Sequence, residues 1–166
     1  ILSKKMNNRN EYVNTIKNMY SFIIYVSIIQ SLVMMILSRQ IVAIVYGDNY
    51  SQSSEILKIL TWYTTFSYYG AAKDVWILAE EKQRYLVCVN GTGAILNVLL
   101  NYILIPKMGA QGAALASLLT QFTANIVMGF IIKPLRPNNF LLIAALNPME
   151  IVASVIRAMK RKESGH

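Results

Sequence analysis

The sequence contains little charge, one cysteine and one histidine. Only 14% of its 166 residues are charged, against about 25% in an ordinary soluble domain, so a water-exposed surface is hard to build from them. The lone cysteine, Cys88, excludes an internal disulfide and any multi-cysteine metal site. The only histidine is His166, which argues against histidine-based catalysis.

The motifs for nucleotide hydrolysis and catalysis are also missing. There is no GxxxxGK followed by Ser or Thr, and Gly91-Thr92-Gly93 lacks the rest of a dinucleotide fingerprint. No paired-carboxylate site and no Ser/His/Asp set can be assembled. The basic residues lack the aromatic-basic modules of nucleic-acid binders. We therefore expect no cofactor, no metal, no nucleic-acid partner and no enzymatic activity.

What the sequence has is long apolar runs. Residues 18–38, 85–106 and 108–132 carry no charge and are 21, 22 and 25 residues long, enough for helices that cross a hydrocarbon core of about 30 Å. Residues 56–79 form a less apolar run with many aromatic residues. The predicted fold class is an all-α integral membrane protein with four transmembrane helices, at about 18–38, 56–79, 85–106 and 108–132.

Short polar segments separate these runs. Arg39 interrupts the first one, and residues 47–54 carry the Gly, Asp, Asn and Ser signals of a loop. A charged connector follows at 80–84, and a tight turn is predicted at 107–109. Residues 133–139 end the fourth helix, because their two prolines cannot continue it.

The last part of the chain differs from the spans. Asn147 and the proline after it favour a helix start, and residues 148–162 predict an amphipathic helix that lies at the membrane interface. The alternative is a fifth span that starts near Phe140, which would carry Asn147 and Glu150 into the membrane. The resulting domains are a cytoplasmic basic segment at 1–17, a four-helix membrane domain at 18–132 and a cytoplasmic basic tail at 133–166.

The distribution of cations predicts the orientation. With four spans, 12 of the 16 Lys and Arg residues lie on one side of the membrane and three, Arg39, Lys58 and Lys107, on the other. Because cytoplasmic segments carry the excess of cations, we expect a multi-pass protein of the cytoplasmic membrane with both ends of this segment in the cytoplasm. The net charge of +8 is then explained by the excess of cations on the cytoplasmic side and does not indicate an acidic partner.

Lys73 and Asp74 are ionisable residues inside a predicted span. Such groups are costly in lipid and usually face a protein interior or a watery cavity. Trp62, Phe66 and Tyr69 lie on the same helical face as Lys73. These five residues are candidates for substrate binding, with the aromatic rings stacking on sugars and the ammonium group pairing with phosphate. The alternative is that Lys73 extends towards the interface and the aromatic residues serve packing.

Two polar stripes and one small-residue face are predicted on the third and fourth spans. Amide and hydroxyl groups hydrogen-bond substrates or join helices, and small residues let helices approach closely. We favour helix packing for all of them: Asn90, Asn97 and Asn101; Ser117, Gln121 and Asn125; Gly109, Gly112 and Ala113.

Several segments resemble one family. NVLLNYILIPKMGAQGAALASLLTQ at 97–121 resembles a signature of Wzx-type polysaccharide flippases, which belong to the same superfamily as MATE multidrug exporters and lipid II flippases. IVAIVYGDNYSQSSEILKILTWY at 41–63, WILAEEKQRYL at 76–86 and ALNP at 145–148 are similar to segments of the same family. The signature residues look structural, and Lys73 and Asp74 lie outside the shared pattern.

The resemblance implies a function and a larger parent. The chain would be the C-terminal fragment of a two-lobe bacterial transporter with 12 or more helices, and the missing N-terminal helices would be its partners. The transporter would flip undecaprenyl-pyrophosphate-linked oligosaccharide, for O-antigen, capsule or teichoic-type polymers, across the cytoplasmic membrane by alternating access. Membrane lipids and polysaccharide polymerase machinery would be further partners.

Other functions stay open from the sequence. One is a multidrug or lipid II exporter of the same superfamily. A membrane-embedded glycan polymerase or acyltransferase is a second, although such enzymes usually place their catalytic groups in long outer loops, and the loops here are short. A small helical membrane scaffold that acts alone is the third.

Overall fold

The computed structural model describes residues 9–147, and 93% of them are helical, with no strand among them. The all-helical fold class is thereby confirmed for this part of the chain. The α-helices are α1 (Arg9–Tyr46), α2 (Ser53–Ala79), α3 (Arg84–Phe122), α4 (Met128–Ile131) and α5 (Arg136–Ala145). A π-helix at Thr123–Val127 joins α3 to α4, and 3-10 turns lie at Asp48–Tyr50 and Lys133–Leu135.

Helix α1 extends beyond the predicted span on both sides. It continues through Arg39 and Gln40, because both residues are good helix formers and a charge does not break the backbone pattern. Gly47 ends it with a φ of +85°, and its N–H group donates to the carbonyl oxygen of Ala43 at 3.0 Å. This left-handed residue after the last helical turn is a common helix C-terminus.

Helix α3 is broken at Gly109, inside the turn predicted at 107–109. Gly109 has φ 56° and ψ −133°, a conformation that is open essentially to glycine alone. The chain reverses there, since Asn97 donates from Nδ2 to Thr120 Oγ1 at 3.4 Å across the break. Residues 84–108, here called the first arm, and residues 110–131, the second arm, therefore pack as an antiparallel hairpin.

Helix α5 was not predicted over these residues: the sequence placed them in a basic cytoplasmic tail, and the alternative fifth span from about Phe140 covers only the second half of the helix. Pro137 lies in its first turn, where a missing N–H group is tolerated. The helix starts beside Tyr12, with which Pro137 lines a cavity, and it ends beside Ser21, whose hydroxyl donates to the Ala145 carbonyl at 2.9 Å. It thus runs alongside α1 into the bundle. The amphipathic helix predicted at 148–162 lies outside the described residues.

The bundle buries polar side chains and exposes apolar ones. Ile44, Val87 and Phe22 are 84%, 75% and 70% exposed, whereas Ser31 and Asn138 are 1% and 0% exposed. The core also contains apolar side chains such as Ile16 and Ile77, so the feature that departs from a soluble protein is the number of large apolar side chains on the outside. An outer surface with this many large apolar side chains is suited to contact with apolar surroundings.

Two helical stretches are long and apolar enough to cross a membrane. They are Glu11–Tyr46 in α1 and Arg84–Ile131, which contains both arms of the hairpin. Helix α2, predicted as a span at 56–79, is not among them, and its many Thr, Ser and Tyr residues and its ionisable groups lower its hydropathy.

We predict that Gly109→Ala destabilises the protein and Gly91→Ala does not. The first change puts a Cβ atom on a backbone with positive φ, at a cost of about 1–3 kcal/mol. Gly91 lies within the first arm, and a Cβ atom added there would meet no other atom within 4 Å, so alanine should stabilise the helix by about 0.5–1 kcal/mol. Thermal unfolding of the purified protein in detergent measures both, and equal midpoints for the two variants would contradict the turn.

Candidate functional site

A cavity of about 370 Å³ lies between α2 and the two arms of the hairpin. Of its ten lining residues none is charged, and seven carry a hydroxyl or amide group. These seven are Tyr63, Asn90, Asn97, Ser117, Thr120, Gln121 and Asn125. The cavity is therefore polar and neutral, and we call it the central cavity.

The central cavity lies near the middle of the bundle. Asn97 is about halfway along the first arm, and Gln121 is about halfway along the second. The two polar stripes predicted from the sequence face each other across it, except that Asn101 lies one turn further along. Asn101 donates to Asn97 Oδ1 at 2.9 Å and so orients that amide. The stripes thus both join helices and form a cavity wall.

Three of the polar lining residues keep their hydrogen-bonding capacity. Tyr63, Asn90 and Ser117 form no side-chain hydrogen bond with any described residue. Asn90 is exposed and the other two are partly buried, so a ligand can reach all three from the cavity. These three side chains are therefore available to a polar ligand.

Asn125 forms the part of the central cavity wall next to α2, and both the oxygen and the nitrogen of its side-chain amide form hydrogen bonds. Its Oδ1 accepts from Lys73 Nζ at 2.9 Å, and its Nδ2 donates to the Phe66 carbonyl at 3.0 Å and to Gln121 Oε1 at 2.6 Å. The approach of Asn125 to α2 requires Gly70, since a Cβ atom there would lie 2.5 Å from Asn125 Nδ2.

The π-helix supplies the other partners of this contact. A π-helix shifts the backbone hydrogen bonds by one residue and often marks a functional position. Lys73 Nζ donates to the Ala124 carbonyl at 3.1 Å, and Asn139 Nδ2 donates to the Ile126 carbonyl at 2.7 Å. Two side chains from other helices therefore bind carbonyls within Thr123–Val127, which helps to keep this irregular turn in place.

Lys73, predicted to contact substrate, lies directly behind the cavity wall. Its side chain is 1% exposed and binds two residues that line the cavity, Ala124 and Asn125. Asp74 is half-buried and forms no ion pair with Lys73 within 4 Å. In this conformation Lys73 acts on the cavity through the Asn125 amide.

The three aromatic residues predicted with Lys73 occupy separate environments. Trp62 borders a second cavity, with Lys58 and Gln111. The Phe66 ring packs edge-on against Phe122, with 5.3 Å between centroids. Tyr69 is buried in the core. They do not form one continuous stacking surface, because neighbouring helices take up different parts of the face.

Tyr69 belongs to a buried polar network that sequence reasoning missed. Its ring lies 5.5 Å from that of Tyr20, and its hydroxyl accepts from Asn138 Nδ2 at 2.8 Å. Tyr20 donates to Asn138 Oδ1, and Tyr69 donates to Asn139 Oδ1 at 3.4 Å. A Cβ atom at Gly129 would clash with the Asn139 side chain. Adjacent asparagines after a proline signalled a loop, which hid this role.

The small-residue face brings the ends of the hairpin arms together. Gly109 forms the reversal, and a Cβ atom at Gly112 would overlap the Leu104 carbonyl. Ala113 is partly buried next to it. Close approach of the arms therefore depends on these residues.

Among residues 9–147, no group of three or more His, Cys, Asp or Glu side chains is arranged to hold a metal ion. No family model, no curated protein and no solved structure matches the chain.

We predict that Gly70→Ala disrupts the wall of the central cavity and Gly93→Ala does not. The first Cβ atom displaces the Asn125 amide, whose hydrogen bonds are worth about 0.5–1.5 kcal/mol each. At Gly93 a Cβ atom would lie 3.5 Å from Ala124 Cβ, an ordinary contact. The thermal midpoint should fall only for Gly70→Ala. A similar fall for both variants would mean that the helices cannot accept any added volume here.

Proposed function

We propose that this chain is the C-terminal part of a polysaccharide flippase. The transporter moves undecaprenyl-pyrophosphate-linked oligosaccharide across the bacterial cytoplasmic membrane by alternating access, and it is not an enzyme. The observation that carries the proposal is the neutral, polar central cavity in the middle of a bundle whose outer surface is apolar. The signature-like residues 97–121, which form the hairpin turn and much of this cavity, support it as well.

The lining chemistry fits the sugar part of such a substrate. Sugar hydroxyls both donate and accept hydrogen bonds, as do amide and hydroxyl side chains. Tyr63, Asn90 and Ser117 offer unused groups of this kind. Since no lining residue is charged, the cavity favours uncharged saccharide groups over the pyrophosphate. We therefore place Lys73 in a positioning role, holding the Asn125 amide against the cavity.

The apolar exterior fits the rest of the proposal. The polyprenyl tail would remain in lipid while the sugars cross in the cavity. In this arrangement α1, α2 and the two hairpin arms are four spans. The second arm alone, with 22 residues, reaches about 33 Å at 1.5 Å per residue. Further N-terminal helices of a longer parent would cover the open side of the cavity.

The expected orientation places one bundle end in the cytoplasm. That end contains the start of α1, the connector at 80–83 and the start of α5, which border one cavity. Lys82 Nζ in the connector also donates to the Pro134 carbonyl, just before α5, at 3.1 Å. The other end contains residues 47–52 and the turn at Gly109. The cation excess of the first end supports a cytoplasmic location under the positive-inside rule.

Polysaccharide export tests the function. We predict that the parent protein restores surface polysaccharide in a flippase-deficient strain and that Asn90→Leu lowers the export rate about five-fold, since one hydrogen bond to substrate is worth about 1 kcal/mol. Thr92→Leu is the matched control, because Thr92 is likewise exposed on the same arm but does not line the cavity. The measurement is surface polysaccharide at equal protein levels.

Two results would overturn this function. If the Asn90→Leu variant exports polysaccharide normally, the central cavity does not lie on the transport path. Failure of the parent to restore polysaccharide, combined with raised drug resistance of the host, would instead assign it to multidrug export.

Cysteine labelling tests the topology. In a Cys88→Ser background we expect a membrane-impermeant maleimide to label Asn49→Cys on intact spheroplasts. Gln83→Cys should react only after permeabilisation, because the two exposed connectors lie at opposite ends of α2. If the reagent labels both cysteines from the same side, helix α2 at 53–79 does not cross the membrane.

A further inference from the structure

Another polar cavity, of about 250 Å³, lies at the connector end of the bundle. It is bordered by the start of α1, the end of α2 and the start of α5, and it is separate from the central cavity. We call it the end cavity. Its polar and aromatic lining consists of Arg9, Tyr12, Trp76, Glu80 and Lys82.

The charges of the end cavity favour an anion. Two cations, Arg9 and Lys82, face one carboxylate, Glu80, which leaves a net charge of +1. Arg9 forms no hydrogen bond or ion pair with a described residue. Arg9 is exposed at the edge of the cavity, and its guanidinium group offers a planar set of donors that suits phosphate oxygens.

Lys82 is held in place and keeps donors free. Its Nζ donates to the Pro134 carbonyl at 3.1 Å and lies 4.5 Å from the centre of the Trp76 ring. The distance to Glu80 Oε2 is 3.8 Å, which is too long for a hydrogen bond. The ammonium group thus has one hydrogen bond to a carbonyl, an ion pair with Glu80 and a contact with the Trp76 ring, and it can still donate to a further acceptor.

Tyr12 adds a buried donor without a partner. Tyr12 is 5% exposed and lines the end cavity, and its hydroxyl has no hydrogen-bond partner in the described part of the chain. The Glu80 carboxylate is close enough to act on it as a hydrogen-bond acceptor, although the two groups do not meet strict hydrogen-bonding geometry. A buried hydroxyl left unpaired costs about 1–3 kcal/mol. Bound phosphate, with several acceptor oxygens, would relieve that cost.

We propose that the end cavity binds a phosphate monoanion, held by Arg9, Lys82 and the Tyr12 hydroxyl. Its net charge of +1 matches one phosphodiester, such as the headgroup of an anionic phospholipid, and the apolar side chains of Val13 and Leu141 on the same wall suit the adjoining glycerol. Basic pockets between helices at the cytoplasmic side are known sites for anionic headgroups. The site rests on the membrane orientation proposed above but not on transport, since it needs no substrate in the central cavity.

Lipid retention tests the site. The full-length protein is placed in nanodiscs of phosphatidylcholine with a minor fraction of phosphatidylglycerol, and native mass spectrometry counts the phosphatidylglycerol that stays bound. We expect Arg9→Gln and Lys82→Gln each to lower this retention about ten-fold, as for the loss of a charge-assisted hydrogen bond. Arg84→Gln and Lys133→Gln are the controls, because both remove exposed cations at the same bundle end, outside the cavity.

Tyr12→Phe separates binding from folding. It removes only the hydroxyl, so the thermal midpoint in pure phosphatidylcholine should change little while phosphatidylglycerol retention falls. Equal losses for the cavity and control variants would show diffuse charge attraction and overturn the site, as would full retention by Arg9→Gln and Lys82→Gln.

Inorganic phosphate identifies the source of the anion. If added phosphate raises the midpoint of the wild type but not of Lys82→Gln in pure phosphatidylcholine, the free ion is a ligand of the site. If phosphatidylglycerol alone raises it, the ligand is the lipid headgroup. A midpoint that responds to neither would overturn the proposal.

Discussion

The amide of Asn125 is the contact on which the centre of the bundle depends. It accepts from Lys73 and donates to the backbone of α2 and to Gln121, and it reaches α2 only because Gly70 has no side chain. The same lysine binds a carbonyl of the π-helix. In apolar surroundings the chain has no water to replace these partners. The position of the second arm against α2, and so the width of the central cavity, follows from this set of hydrogen bonds.

The attachment of α5 repeats the same principle. Asn139 binds a second carbonyl of the π-helix and fits against Gly129, while Asn138 lies between the hydroxyls of Tyr20 and Tyr69. Polar side chains thus join helices whose apolar surfaces face outward, and such hydrogen bonds hold helices together where the hydrophobic driving force is weak. The irregular turn of the second arm receives support from two directions, from α2 and from α5.

The polar groups of the described residues serve two different purposes. Those around Asn125 and Asn138 are engaged with one another and hold helices together. Those at Tyr63 and Asn90 in the central cavity, and at Arg9 in the end cavity, keep unused hydrogen-bonding capacity. The neutral set suits hydroxyl-rich ligands and the cationic set suits a phosphate. The two sets are separated by roughly half the length of α2. The ammonium group of Lys82 and the guanidinium group of Arg9 therefore lie at the bundle end, where charge is least costly.

The sequence by itself determined the helical runs, the turn at 107–109 and the spacing of the two polar stripes, because length, hydropathy and periodicity are local properties. It did not reveal α5, since Pro134, Pro137 and the asparagines look like a loop until their partners are known. Periodicity also placed Lys73 and Tyr69 on one helical face without telling which helix each would meet. Only the tertiary structure decided that Lys73 lies behind the cavity wall and that the stripes border a cavity, because both outcomes depend on distances between helices that glycines such as Gly70 allow.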